Sequence, residues 1–187
     1  RAPPADPALH ALAAELPAPA RLGTSSWAYP GWAGLVWDGD YADTDLSKHG
    51  LKAYAQHPLL RAVSIDRTFY RPLTTSQYSR YASQVPDDFR FVVKAPSLVA
   101  DASMRDDQGQ GMKANPAFLD PALAVQQFVQ PALEGLGAKI GALVFELSPL
   151  PDHLLRNMPE VLLRLKTMLA ALPDLRALTP DGLVAVE

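Results

Sequence analysis

Asp66, Lys94, Glu146 and Glu187 each stand at the carboxyl end of an apolar run: AVSID (62–66), FVVK (91–94), ALVFE (142–146) and LVAVE (183–187). A parallel strand buried on both faces reads as a nearly unbroken apolar run. The carboxyl ends of such strands are where open α/β sheets and α/β barrels carry their binding chemistry. Three chemistries fit the four residues. Lys94 could serve as a base, a Schiff-base amine or an anion clamp, its pKa set by burial and the surrounding carboxylates. Asp66, Glu146 and Glu187 could share a divalent cation, an oxygen-rich set that suits Mg²⁺ or Mn²⁺. Alternatively, two of the carboxylates could divide acid and base roles. The alternative without chemistry is an internal salt-bridge network centred on Lys94, because buried charges must be paired in either case.

Other residues gather near these strand ends. In RTFYRPL, Arg67 and Arg71 flank Phe69 and Tyr70 directly after the second run, and either arginine could fork onto a phosphate or carboxylate. The bland reading has Phe69 and Tyr70 capping the core while the arginines pair with nearby acids. Ser25 and Trp27 end the first apolar stretch, and Trp27, Trp32 and Trp37 with Tyr29 and Tyr41 make the next loop strongly aromatic. Such a loop could stack a sugar or a base, although a plug over one end of the core is the commoner use. His10, His49, His57 and His153 fall in the N-terminal arm, on helices or at helix ends, which disfavours an imidazole-rich zinc site.

The elements that must position these residues alternate between strand and helix patterns. Strands are expected at 21–26, 61–66, 89–94, 141–147 and 183–187. Helices are expected near 46–56 (capped by Asp45 or Ser47), over 76–84 (capped by Thr74 or Thr75), from Asp120-Pro121, and along the apolar stripe from Leu154 to Leu172. Pro131 should break or bend the third of these, with Gly135 and Gly137 marking its end, and Pro159 should split off the first turn of the fourth. Period-two alternation places Val63, Ile65, Phe91, Val93, Leu143, Phe145, Val184 and Val186 on a helix-covered face. Asp66, Lys94, Glu146 and Glu187 then point the other way, into one shared layer near Ser25 or Trp27. The segment 97–118 has little apolar periodicity and reads as a functional lid or a disordered loop.

Repeated βα units imply a parallel sheet with right-handed crossovers. Five strands could form an open doubly wound sheet, but no Gly-rich phosphate fingerprint follows the first. A run that stops at a strand suggests instead a parallel (β/α)₈ TIM barrel, of which about five βα units are present. Residues 1–20 contain five prolines and read as an arm with one short helix over 8–16, and 21–187 as the barrel domain. The chain opens on Arg, so it is expected to be processed or excerpted.

The bulk numbers narrow the partners. The net charge of −3 argues against polyanion binding by the whole surface. Residues 61–105, however, hold seven Lys or Arg against four Asp or Glu, so this is where an anionic ligand would be met. A small anionic or sugar-like ligand is therefore the expected partner, with nucleic acid less favoured. Cysteine is absent, which removes disulfides, thiolate sites and Cys nucleophiles and fits a cytoplasmic protein. No apolar segment approaches transmembrane length, so no membrane partner is expected.

GTSSWAYPGWAG, VSIDRTFYRP, FRFVVKAP and GALVFELSP occur in series, and in this the chain resembles domain-of-unknown-function family 72, the YecE-like proteins, from about Leu22 to Glu187. The resemblance implies a TIM barrel distantly similar to sugar isomerases and the endonuclease IV class, with no settled activity. Members usually carry a glutamate where this chain has Ser64, often an asparagine at Asp66, and commonly a glutamine at Glu146. Glu187 resembles the start of a Glu-Phe-Arg segment.

Overall fold

Among the described residues, seven segments are extended: β1 (Leu22–Thr24), β2 (Leu60–Ile65), β3 (Arg90–Lys94), β4 (Ser103–Arg105), β5 (Met112–Ala114), β6 (Ile140–Phe145) and β7 (Leu183–Val186). The computed structural model describes residues 1–4, 6–106, 108, 112–180 and 182–187. Five strands form one parallel sheet in the order β1-β2-β3-β6-β7, while β4 and β5 pair as a separate antiparallel hairpin. Each parallel strand is laid beside its predecessor, so the order never reverses. A doubly wound sheet would reverse at a switch point.

Helices fill every crossover: Asp43–His49 and Leu51–Tyr54 before β2, Thr75–Ala82 before β3, Pro121–Ala124 through Gln130–Leu136 before β6, and Asp152–Leu155 and Met158–Ala171 before β7. Burial divides β2, β3 and β6 as the alternation requires, but in the edge strand β7 Val184 is only half-buried and Val186 is exposed, contrary to the expected helix-covered face. Val63, Ile65, Phe91, Val93, Leu143 and Phe145 are fully buried, whereas Ser64, Val92, Lys94, Ala142 and Val144 are half-exposed on the opposite face. The main apolar core thus lies between helices and sheet on one side, and the other side is open.

Local departures from the sequence pattern have physical causes. The first crossover is two helices rather than one, broken at Gly50, and it starts after Ala42, with Asp43 and Asp45 in its first turn, where carboxylates favour the helix dipole. Thr74 caps the next helix through a reciprocal capping box with Gln77. Pro131 does not end its helix. The backbone widens to π-helical geometry over Val125–Val129, which accommodates the ring and the missing N–H, and the helix runs on until Gly137 at φ 54°. The last crossover breaks at Arg156 and Asn157, leaving Pro159 in the first turn of the longer helix.

The 97–118 segment is more ordered than its composition suggests, apart from residues 107 and 109–111, which lie outside the described residues. A short helix (Ser97–Ala100) leads into the β4–β5 hairpin. Buried Asn115 anchors it, donating from Nδ2 to the carbonyls of Leu98 (2.8 Å) and Asp101 (2.7 Å) and accepting from the Ala117 N–H (3.0 Å). One satisfied polar side chain does here what apolar periodicity does elsewhere. In the N-terminal arm, Asp6 caps a helix over Pro7–Glu15 that buries no residue.

Candidate functional site

β3 ends on Lys94, and Asp66, Glu146 and Glu187 each follow the last residue of their strand on the open face. They do not form a single layer. Ile65 pairs with Val93, so Asp66 continues level with Lys94, and Lys94 itself pairs with Val144, which pairs with Ala185. Glu146 and Glu187 therefore stand two residues further along, roughly 6.6 Å higher at the usual strand rise. A lysine side chain can cross that step. Lys94 Nζ donates to Glu146 Oε2 at 2.5 Å.

The parity that lets them meet comes from one extra residue. Phe91 pairs with Ile140 but Val92 with Ala142, so Gly141 is inserted in β6. Without it, every following side chain of β6 would face the other way. Glycine suits the bulge, since a Cβ there would come within 3.1 Å of the Arg90 side chain.

The Lys94 ammonium is held above the ordinary lysine value, first by the hydrogen bond to Glu146. Burial opposes this, and the charges of Asp66, Glu146 and Glu187 add to it. Three carboxylates thus act on one cation. Such an amine is a charged proton donor rather than a free base or Schiff-base nucleophile. Among the described residues no three His, Asp or Glu side chains gather in a group that could hold a metal ion. The Lys94 side chain is 27% exposed and that of Glu146 41%, so the pair is open to solvent.

Two residues that the apolar pattern leaves unmarked steady this tier. Ser64, two residues before Asp66 on the same face, donates its hydroxyl to Asp66 Oδ1. Thr68, fully buried, directs its hydroxyl at the carbonyls of Ile65 (2.7 Å) and Lys94 (2.6 Å), tying the end of β2 to the end of β3. Their only sequence signal is a small polar side chain beside a strand-end charge. On the neighbouring segment, the Ser148 hydroxyl donates to Asp101.

The remaining candidates are not gathered here. Trp27 is only 6% exposed, donates its indole N–H to the Ser47 carbonyl at 3.3 Å and meets Tyr81 edge-on at 5.1 Å. It is core, not a ligand platform. Trp37 is likewise buried, with its N–H on the Tyr29 carbonyl, and half-buried Trp32 packs between Tyr29 and Tyr54. The aromatic loop is therefore largely a plug. Arg67 turns outward to the Tyr81 hydroxyl at 2.9 Å. Tyr70, 84% exposed, leans over a cleft shared with the hairpin, while Arg71 and Ser25 are exposed on loops. No described helix is long and apolar enough to cross a membrane.

No curated protein matches the chain. Among solved structures, it is similar to a DUF72 family protein from Enterococcus faecalis, at 19% identity with a TM-score of 0.51, covering 89% of this chain and 49% of that one. It also resembles a DUF72 family protein from Thermotoga maritima, at 19% identity with a TM-score of 0.42, covering 88% of this chain and 54% of that one. The chain thus spans about half the length of these relatives. The profile of the family described as "Protein of unknown function DUF72" matches residues 21–187, and the chain belongs to that family.

Proposed function

We propose that the five parallel strands are an arc of a (β/α)₈ barrel, and that the open face at their carboxyl ends is the wall of an enzyme pocket for a small anionic or polyol ligand, of the phosphate-ester or sugar class. The barrel reading rests on the unreversed strand order, on helices that fill the crossovers and cover one face of the sheet, and on relatives of about twice the length. One observation carries the pocket: a solvent-open Lys94 ammonium hydrogen-bonded to Glu146 and held in the field of Asp66 and Glu187.

In this reading Lys94 donates to a ligand oxygen and supplies the charge that meets a phosphoryl or carboxylate group. Glu146, drawn off Lys94 when a ligand anion takes its place, accepts a proton from a ligand hydroxyl. Asp66, oriented by Ser64, holds a second hydroxyl. An internal, closed network would leave no access to the charges, and the exposure of both partners favours a binding role over a purely structural one.

The test is a thermal-shift screen against sugar phosphates, polyols and dicarboxylates, with and without Mg²⁺ or Mn²⁺. At least one compound should raise the melting temperature of the wild type and fail to do so in Lys94→Ala. A panel without a hit, or hits that survive Lys94→Ala unchanged, would remove the reading.

A further inference from the structure

On the outer wall, away from the open face, the Asp43–His49 and Thr75–Ala82 helices flank a cleft of about 610 Å³. Lys48, His49, Arg67 and Arg80 line it, and none of its lining residues is Asp or Glu. Several basic side chains elsewhere are answered by acids: Arg61 by Asp88, Lys139 by Asp87, Arg156 by Asp152, Arg164 by Glu160 and Arg176 by Asp174. Among the described residues, Lys48, Arg67 and Arg80 pair with no carboxylate. In a chain of net charge −3, a cleft lined by these three cations and by no carboxylate is suited to an anion.

The cleft is also held in shape. Arg67 is fixed by its bond to the Tyr81 hydroxyl, Tyr81 rests edge-on against Trp27, and Trp27 donates to the Ser47 carbonyl on the facing helix. That relay joins both walls through a buried indole and leaves the rest of the Arg67 guanidinium to the cleft. Lys48 and His49 lie in the last turn of their helix, where they also offset its dipole. Arg80 likewise lies in the last turn of the Thr75–Ala82 helix and offsets that dipole, so the charges of two helix ends and of Arg67 converge on one cleft.

We infer that this cleft is a second ligand site, separate from the Lys94 pocket, that takes an oligophosphate: two or more linked phosphoryl groups, free or carried on a nucleotide. A guanidinium forks onto phosphoryl oxygens in a way an ammonium does not. Two arginines and a lysine call for more than one negative charge. The volume is that of a small-molecule site rather than of an extended polymer track.

Titration calorimetry with pyrophosphate, tripolyphosphate and ATP as probes tests this, with orthophosphate and citrate as comparators. The linked phosphates should bind more tightly than either comparator, and ATP no worse than tripolyphosphate if the nucleoside is tolerated. Arg80→Gln and Lys48→Gln, both exposed on helix surfaces, should each weaken pyrophosphate by roughly tenfold, the usual effect of one charge-assisted contact. In Lys94→Ala the share of pyrophosphate binding that Arg80→Gln and Lys48→Gln weaken should persist, which separates this site from the proposed pocket. The inference is overturned if pyrophosphate does not bind. Equal binding in Arg80→Gln with an intact circular-dichroism spectrum, or loss of binding in Lys94→Ala, would overturn it as well.

Discussion

The Lys94 ammonium lies 2.5 Å from the Glu146 carboxylate although the two residues stand on different tiers of the sheet, and the Gly141 bulge is what turns Glu146 to the same face. The hydrogen bond that Lys94 donates to Glu146 is the largest influence raising its pKa. Glu146→Gln should therefore lower that pKa, though not fully to its ordinary value, because Asp66 and Glu187 still act on the ammonium. An NMR titration of the lysine side chains reads this directly, and an unmoved Lys94 would show that the pair is not formed in solution. Since Glu146 is more than a third exposed, stability at neutral pH should change by no more than about 1 kcal/mol.

Alkaline pH should weaken the fold in a defined window. Tyr78 is raised well above the ordinary tyrosine value by burial and, secondarily, by the charge of Tyr81. Tyr54 is raised by burial against the bonds it makes with Thr24, and Lys94 is raised by Glu146. All three have folded pKa values above their unfolded ones, 10.0 for tyrosine and 10.5 for lysine. The stability they contribute is complete below those values and is lost as pH rises through the raised ones. The melting temperature should show no loss from these groups between neutral pH and about 10, and should fall above it. In Tyr78→Phe the fall should be shallower. An alkaline limb identical to that of the wild type would count against burial as its cause.

Thr68 should matter more than its place beside the charged residues suggests. Its buried hydroxyl shares one proton between the carbonyls of Ile65 and Lys94, and valine would keep the shape while removing that donor. Thr68→Val should cost about 1–3 kcal/mol, lowering the melting temperature by roughly 2–4 °C for each kcal/mol. Thr68→Ser should restore most of the loss, since it returns the hydroxyl. A valine variant as stable as the wild type would mean that water satisfies both carbonyls.

The sheet and the direction of its side chains could be read in the sequence because both faces carry strong period-two signals. Phe91 and Val93 against Val92 and Lys94 admit one register only, and β3 follows it. The tiering of the site could not be read, because it depends on pairing offsets between strands. One inserted glycine changes those offsets without disturbing the apolar run of Ile140–Phe145. Arg67 and Trp27 looked like neighbours of Lys94 because they lie near strand ends in sequence. In space, a single turn of 3-10 helix over Asp66–Phe69 sends Asp66 inward and Arg67 outward. The order of the 97–118 segment was hidden for another reason: it rests on the hydrogen bonds of Asn115, which leave no periodic trace.

Close helix packing supplies the last test. Gly135 sits where the Gln130–Leu136 helix touches the Thr75–Ala82 helix, and a Cβ there would lie 2.4 Å from Tyr78 Cβ and 2.6 Å from the Thr75 carbonyl oxygen. Both obstacles are close to or part of the backbone, so they cannot move aside as a flexible side-chain tip would. In an unobstructed helix, Gly→Ala stabilises by about 0.5–1 kcal/mol. Here the sign should reverse, with Gly135→Ala costing about 1–3 kcal/mol through overpacking. Gly39→Ala is the matched control, since nothing lies within 4 Å of its added Cβ, and its effect should stay within about 0.5 kcal/mol. Urea denaturation distinguishes the two, with a lower midpoint at an unchanged slope expected only for Gly135→Ala. A stabilised Gly135→Ala would mean that the two helices pack further apart than the structure places them.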